Sequence, residues 1–236
     1  MTRIDGAKKF YERAELVGHS GGFSVALDGR GIKTPAGSDF VLPTERLAEI
    51  VADEWNAQSE CIDAATMPMF RIAATVIDRV RPNRAEVVEI TLKFGETDLL
   101  CYRAEAPPDL ARRQAEAWQP WLEWAARDLG AELAVTTGIQ PVKQPAAALE
   151  ALGAAVGALD DYQLMGVSAA AAATGSLILA LALGQGAMAH ESCAEAALLD
   201  DHYQIERWGD DDEAGEHRRR VQGEIEEAAR FIELCR

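Results

Sequence analysis

The chain has 236 residues, of which 48% are hydrophobic, so it contains enough apolar material for a buried core. It carries 39 acidic and 23 basic residues, a formal net charge of −16, and such a charge is repelled by phosphate backbones and anionic lipid. Because no basic stripe is visible, nucleic acid is excluded as the expected partner. The whole acidic surplus lies beyond residue 50, where a solvated helical surface is preferred over a surface that steers a basic partner.

The first 45 residues are predicted to form an antiparallel β-meander after a short helix around 8–13. Apolar and small polar residues alternate over Phe23–Leu27, which gives a strand with one apolar face. Asp28-Gly29 follows at once, and in this dipeptide Gly29 accepts the positive φ of a tight hairpin turn. Pro35 is predicted to form the next turn. Further strands are predicted at 16–19, 30–34 and 40–42.

A helix is predicted to follow the meander. Thr44 is a suitable N-cap, and apolar residues recur at helical spacing from Leu47 to Trp55. Because two layers are the smallest unit that hides one face of a sheet, this helix should pack on the meander, with Trp55 in a structural role.

The rest of the chain, beyond an irregular segment at 61–68, is predicted to be helical. The uncharged stretch Tyr162–His190 is interpreted as a helix buried on all sides rather than a membrane span, because its flanks lack basic anchors. Pro120 is expected to kink or break its helix. The fold class is therefore α+β, with a small antiparallel β-rich N-terminal domain over 1–66 and a C-terminal α-helical bundle over 67–236. Helices are predicted at 70–81, 84–94, 109–129, 145–159, 168–183, 191–208 and 212–234.

The sequence shows no constellation of residues typical of catalysis. The four histidines and four cysteines lack metal-ligand spacing, and no phosphate-binding loop is present, so neither a metal nor another cofactor is expected. The cysteines are interpreted as reduced thiols. Residues 18–22 match the G-x-S-x-G nucleophile elbow, in which a strand turns into a helix. Here a strand pattern follows instead, so a hairpin turn is favoured, and a small hydrolase that uses Ser20 stays as an alternative.

An ordered series of short motifs runs from the first strands to the last helices. Together they resemble the family of ATP synthase assembly chaperones that bind the α subunit of the F(1) sector. Each motif alone is modest, but their collinear order makes the match specific. In chain order the motifs are Phe23–Arg30, Lys33–Ala36, Leu42-Pro43, Leu47-Ala48, Glu54-Trp55 with Gln58, Met67-Pro68, Thr97–Arg103, Trp118 with Pro120 and Trp124, Tyr203-Gln204, and Trp208-Gly209.

The resemblance implies a chaperone rather than an enzyme, one that holds free α subunit and prevents its aggregation until the β subunit replaces it. An interaction module with another partner is the remaining alternative. The N-terminal residues lack a signal peptide or presequence pattern, so a bacterial cytoplasmic protein is expected, and the resemblance implies the mitochondrial matrix for eukaryotic relatives. The oligomeric state is left open, with a monomer as the expectation.

The resemblance also suggests which residues face the partner. The family usually has a glutamate shortly before Tyr-Gln, and Asp200-Asp201 stands at that place here. Asp201 and Gln204 are therefore candidate partner-binding residues, although an exposed helical charge explains Asp201 equally well. Asp98 and Arg103 are further candidates, with an internal ion pair at the inter-domain joint as the structural alternative. Trp208 is expected to be a buried anchor of the bundle.

Overall fold

The structure is a computed structural model that describes residues 6–138, 140–209 and 211–236. The chain divides into two compact units, one containing the chain up to residue 84 together with residues 230–236, and the other containing residues 85–229. The first unit holds the antiparallel sheet and the second is almost entirely helical. The predicted α+β class is confirmed. The domain boundary proposed after residue 66 lies inside the first unit and stays a prediction.

Strands and helices follow one another as expected from the change in hydrophobic period along the chain. The strands are β1 (Ala14–His19), β2 (Gly22–Leu27), β3 (Arg30–Gly31), β4 (Tyr102–Arg103) and β5 (Thr136–Thr137). The helices are α1 (Glu45–Asn56), α2 (Pro68–Thr75), α3 (Arg84–Glu96), α4 (Pro108–Trp124), α5 (Ala146–Gly157), α6 (Asp161–Thr174), α7 (Leu177–Gln185), α8 (His190–Ala197), α9 (Leu199–Trp208) and α10 (Asp212–Leu234).

The sheet of the first unit has the order β1-β2-β3 and is antiparallel throughout. Asp28 and Gly29 have φ values of 50° and 79°, which confirms the predicted hairpin turn between β2 and β3. The amide of Gly37 donates to Thr34 O at 2.8 Å, so Pro35 lies in a turn as predicted. The strand expected at 40–42 is reduced to a single bridge between Leu42 and Phe23.

The prediction of a short helix around 8–13 is wrong. The amide of Lys9 donates to Glu60 O and the amide of Ile62 donates to Ala7 O, both at 2.8 Å. The segment is therefore extended, because its backbone groups bond to the chain around residue 61 rather than to one another.

Helix α1 covers one face of the sheet and supplies the centre of the first core. Thr44 caps α1, since its hydroxyl accepts from Leu47 N at 3.2 Å. The indole of Trp55 is buried and meets the ring of Phe70 edge to face, with ring centroids 5.2 Å apart. This burial agrees with the structural role predicted for Trp55, and aromatic pairs of this geometry stabilise a core beyond their buried area.

The uncharged stretch forms two buried helices rather than one. Gly175 takes φ of 68° after α6, and the hydroxyl of Ser176 then caps α7. A Cβ on Gly184 would lie 2.7 Å from Val167 Cγ2, so glycine permits the close approach of α7 to α6. Among the described residues, none of the helices is both long enough and apolar enough to cross a bilayer.

Helix α4 runs through Pro120 without the predicted break. Pro120 removes the amide that would bond to Glu116 O, but both residues are exposed, so water can solvate that carbonyl. The helix predicted at 191–208 is interrupted at Leu198, which separates α8 from α9.

Candidate functional site

Helix α9 is held against α4 through one of its faces. The phenol of Tyr203 donates to Asp109 Oδ1 at 2.9 Å, and Arg207 donates to the other oxygen of the same carboxylate. One turn earlier, Gln114 Nε2 donates to Asp200 Oδ1 at 2.7 Å. Residues 200, 203 and 207 follow helical spacing, so they form a single face, called here the inner face of α9.

The inner face combines burial with charge. Tyr203 is only 2% exposed, and the guanidinium groups of Arg113 and Arg207 lie 5.4 and 5.2 Å from the centroid of its ring. Its hydrogen bond is the main cause that lowers the pKa of Asp109, whereas burial raises the pKa of Tyr203. Arg113 also pairs with Glu206 at 2.7 Å. These contacts fix the orientation of α9.

The residues one position further along are rotated by about 100° around the helix axis and form an adjacent face, called here the outer face of α9. Asp201, Gln204 and Trp208 repeat the spacing of the inner face with an offset of one residue, and they line a shallow groove of about 240 Å³ beside the start of α10. Trp208 is 77% exposed. The prediction of a buried anchor is therefore wrong, because Tyr203 occupies the buried position and rotates Trp208 into solvent.

The end of α9 and the start of α10 shape the rest of the groove. Gly209, with φ of 87°, ends α9 directly after the indole. The carboxylate of Asp211 accepts from Ala214 N at 2.8 Å and so caps α10. Asp210, whose residue type also suits an N-cap of this helix, lies outside the described residues. Asp211 and the buried Arg218 also line the groove.

The groove has an acidic side. Burial raises the pKa of Asp200, the hydrogen bond from Gln114 opposes this, and the charge of Asp201 raises it further. Asp201 is half-buried, whereas Gln204 is exposed. The outer face thus offers a carboxylate, an amide and an indole on one rigid helix. Such a surface suits recognition of another protein, since aromatic side chains often anchor interfaces and polar groups give specificity.

Asp98 and Arg103 occupy a different place from the one expected. Asp98 is 0% exposed and its carboxylate accepts from Leu100 N at 3.1 Å and from Ile178 N at 3.0 Å. Burial raises its pKa to about 6. Asp98 therefore caps two helical segments of the second unit. Its carboxylate has no exposed surface in the free chain, and contact of Asp98 with a partner stays a prediction.

The predicted ion pair between Asp98 and Arg103 is also wrong. Arg103 is 7% exposed, donates to Gln114 O and stacks over Trp118 at 5.2 Å. The side chain of the same glutamine accepts from Ala104 N at 2.7 Å and donates to Asp200. Arg103 is thus a buried support for the segment that orients α9, rather than a partner-facing residue.

Three residues that position the site were missed by the sequence analysis: Asp109, Gln114 and Tyr203. Asp109 starts α4 and Gln114 lies one turn later, more than 80 residues before α9. Only Tyr203 stood in a recognised motif. A polar residue at a buried helical position was the available signal for Gln114, but it does not identify a partner so distant in the chain.

Ser20 lies in the two-residue turn between β1 and β2. The ring of His19 accepts from Gly21 N at 3.3 Å, which stabilises this turn. A strand follows the serine, whereas a nucleophile elbow requires a helix. The local geometry therefore favours the hairpin interpretation of the G-x-S-x-G match.

Comparison with known proteins identifies relatives along the whole chain. Residues 8–126 match the family model described as ATP12 chaperone protein. Over 221 residues the chain is 26% identical to the protein atp12, mitochondrial, of Schizosaccharomyces pombe, which covers 89% of this chain and 76% of that protein.

The solved structures of relatives share the complete fold. Atp12 from Paracoccus denitrificans is 38% identical, with a TM-score of 0.94 over 98% of this chain and 99% of that one. Atu1473 of Agrobacterium tumefaciens is 36% identical, with a TM-score of 0.92 over 97% and 86% of the two chains. The resemblance in the motifs is thereby confirmed. The chain belongs to the ATP12 chaperone family of ATP synthase assembly factors.

Proposed function

We propose that this protein binds the free α subunit of the ATP synthase catalytic head and prevents its aggregation until the β subunit replaces it. The observation that carries the proposal is the outer face of α9, where Trp208 is 77% exposed on a helix whose inner face is fixed by hydrogen bonds. Membership of a chaperone family supports a binding function for this surface. The other two proposed partner-facing residues are Asp201 and Gln204.

The surface of the client determines what a chaperone of this kind must cover. Subunits of an obligate complex have large apolar interfaces, which aggregate when exposed. A chaperone can shield such a surface with an aromatic anchor on a formed helix, because the entropy of ordering the helix backbone is already lost in the free protein. Asp201 adds a carboxylate one turn before Gln204 and two turns before Trp208. A basic group near the apolar client surface would complete the match.

The experiment is aggregation of isolated α subunit with and without this protein, followed by light scattering. We expect near-complete suppression at a one-to-one ratio, loss of most of this effect with Asp201→Lys, and release of the α subunit when β subunit is added. The matched control is Glu195→Lys, which makes the same change of charge at an exposed position on α8. Absence of a complex at micromolar concentrations would contradict the proposal.

A partner other than the α subunit is the competing proposal from the sequence. If that proposal holds, the protein does not suppress aggregation of the α subunit in the same assay, but it does suppress aggregation of another isolated subunit. A hydrolase that uses Ser20 is tested separately, since Ser20→Ala would abolish an esterase activity and leave client binding unchanged.

A further inference from the structure

A second pocket, of about 590 Å³, opens beside β3 in the first unit. This volume falls within the range of about 300–1,000 Å³ that is common for binding sites. Phe10 lines the pocket and is 70% exposed, so most of its ring surface lies outside the core, although one edge-to-face contact joins it to Tyr11. Leu27, Ile32 and Trp55 also contribute to the wall. The pocket therefore has an apolar interior with a phenylalanine available to a ligand.

The edge of the sheet at this pocket is open. Strand β3 pairs only with β2 among the described strands, and Gly31 lies opposite Ala26. The amide of Ile32 donates to Val25 O at 2.9 Å, so Gly31 is at a non-hydrogen-bonded position and its own N–H and C=O point away from β2. A Cβ at Gly31 would meet nothing within 4 Å. This space lies over the face of β3, because a Cβ points out of the plane of a sheet. At the edge itself Gly31 is exposed, so another backbone can approach it.

The rim of the pocket carries a cation that lacks a counter-ion within the described part of the chain. Arg30 and Lys33 both line the pocket, and Lys33 Nζ lies 3.1 Å from Asp39 Oδ1, whereas Arg30 has no such pair. The carboxylate of Asp28, which also lines the pocket, accepts instead from the amides of Glu12 and Arg13. In a chain with a net charge of −16, this rim favours an anionic group.

We propose that the β3 edge and this pocket form a docking site for an extended polypeptide segment of another protein, with a large apolar residue and an acidic residue two positions apart. The segment adds a strand to the sheet by pairing its backbone with Gly31. Residues two apart in a strand share a face and lie about 6–7 Å apart. The apolar side chain enters the pocket and the carboxylate meets Arg30.

Two other occupants fit these observations less well. A second copy of the chain, paired edge to edge at Gly31, would bring two Arg30 side chains together, which costs free energy. A small apolar ligand would fill the pocket but leave the backbone groups of Gly31 unused. An acidic, extended segment can fill the pocket with its apolar side chain, pair its backbone with Gly31 and place its carboxylate beside Arg30.

The experiment selects binders from a displayed library of random nine-residue peptides on the full-length protein. Gly31→Pro removes the outward N–H, and proline is tolerated on an edge strand where the N–H faces solvent. We expect selected peptides to carry an apolar residue with Asp or Glu two positions away, and to bind Gly31→Pro at least about 10-fold more weakly, in line with the loss of one or two interface hydrogen bonds.

Further variants distinguish an effect of the Arg30 charge from an effect of misfolding. Selection on Arg30→Glu should replace the acidic residue by Lys or Arg, whereas Arg46→Glu, the same charge change on α1, should leave the selected sequences unchanged. Phe10→Ala should weaken the peptides while the melting temperature stays within about 2 °C, as expected for an exposed side chain. These measurements need no ATP synthase subunit, so they succeed or fail independently of the proposed function.

Three outcomes would overturn the docking site. The first is that no selected peptide distinguishes the wild-type protein from Gly31→Pro. The second is that the selected peptides show no acidic preference on wild type and no change on Arg30→Glu. The third is a dimer in sedimentation equilibrium that disappears with Gly31→Pro, which would make a second copy of the chain the occupant.

Discussion

The two faces of α9 are offset by one position in sequence, but they differ in burial and in contact with α4. Tyr203 is 2% exposed and bonds to Asp109, whereas Trp208, on the other face, is 77% exposed. Both faces contain an acidic residue and an aromatic residue. The chemical type of a side chain therefore does not decide its role on this helix; its contact with α4 does.

The largest expected effect concerns the inner face. Tyr203→Ala removes a buried aromatic ring and leaves a cavity, so the free energy of unfolding should fall by about 3–5 kcal/mol. Urea denaturation followed by circular dichroism measures this. Gln204→Ala, the neighbouring residue on the outer face, is the matched control and should change the free energy by less than about 0.5 kcal/mol. Equal effects of the two substitutions would remove the distinction between the faces.

The next effect tests whether buried and exposed carboxylates of the helical unit behave differently. Burial raises the pKa of Asp98 from 3.8 to about 6, so the folded state binds more protons than the unfolded state between these values. The stability contributed by Asp98 is therefore present below pH 4 and lost as the pH rises through 6. Relative to Asp98→Asn, the wild-type protein should gain stability between pH 7 and pH 4.5, by about 2 kcal/mol.

Urea denaturation of both proteins at the two pH values provides the measurement, since the difference between them cancels the titration of the other carboxylates. Asp201→Asn is the comparison on the outer face and should show a much smaller change with pH. A difference between wild type and Asp98→Asn that is constant with pH would show that the Asp98 carboxylate keeps its ordinary pKa.

Trp208→Ala addresses the outer face directly. Removal of an interface anchor should weaken binding of the α subunit about 30-fold, which corresponds to about 2 kcal/mol, while the free energy of unfolding stays within about 0.5 kcal/mol. Titration calorimetry gives the affinity. Ile90→Ala truncates another exposed apolar side chain, 46% exposed on α3, and should leave the affinity unchanged.

The smallest expected effect tests the contribution of a single hydrogen bond. Tyr203→Phe keeps the ring but leaves the carboxylate of Asp109 without the phenol donor. The free energy of unfolding should fall by about 1 kcal/mol, the typical net contribution of one hydrogen bond. Because Arg207 still donates to the same carboxylate, a loss as large as that of Tyr203→Ala would contradict this account of the inner face.

Much of the fold could be predicted because local signals agree with the tertiary structure. The alternation over 23–27, the Asp28-Gly29 turn and the Thr44 cap all lie where the sequence indicated. The prediction of a helix at 8–13 was wrong because the backbone partners of this segment lie around residue 61. A local sequence pattern does not indicate such a distant pairing.

The site was only partly predictable for a related reason. The motif around Tyr203-Gln204 identified the correct helix, but the period of α9 allows either of two adjacent faces to be buried. Hydrogen bonds from Asp109 and Gln114 on α4 decide between them. The burial of Asp98 and Arg103 likewise depends on packing within the helical unit, which their positions in the sequence do not reveal.

The most direct test of the central claim is a site-specific photo-crosslink from the outer face of α9. Benzoylphenylalanine replaces Gln204, which is exposed on that face, or Ile90, which is exposed on α3. With purified α subunit, the protein labelled at 204 should give a covalent complex whose yield falls when β subunit is added, and the protein labelled at 90 should give none. A crosslink from 90 but not from 204 would contradict the claim that the outer face of α9 binds the α subunit.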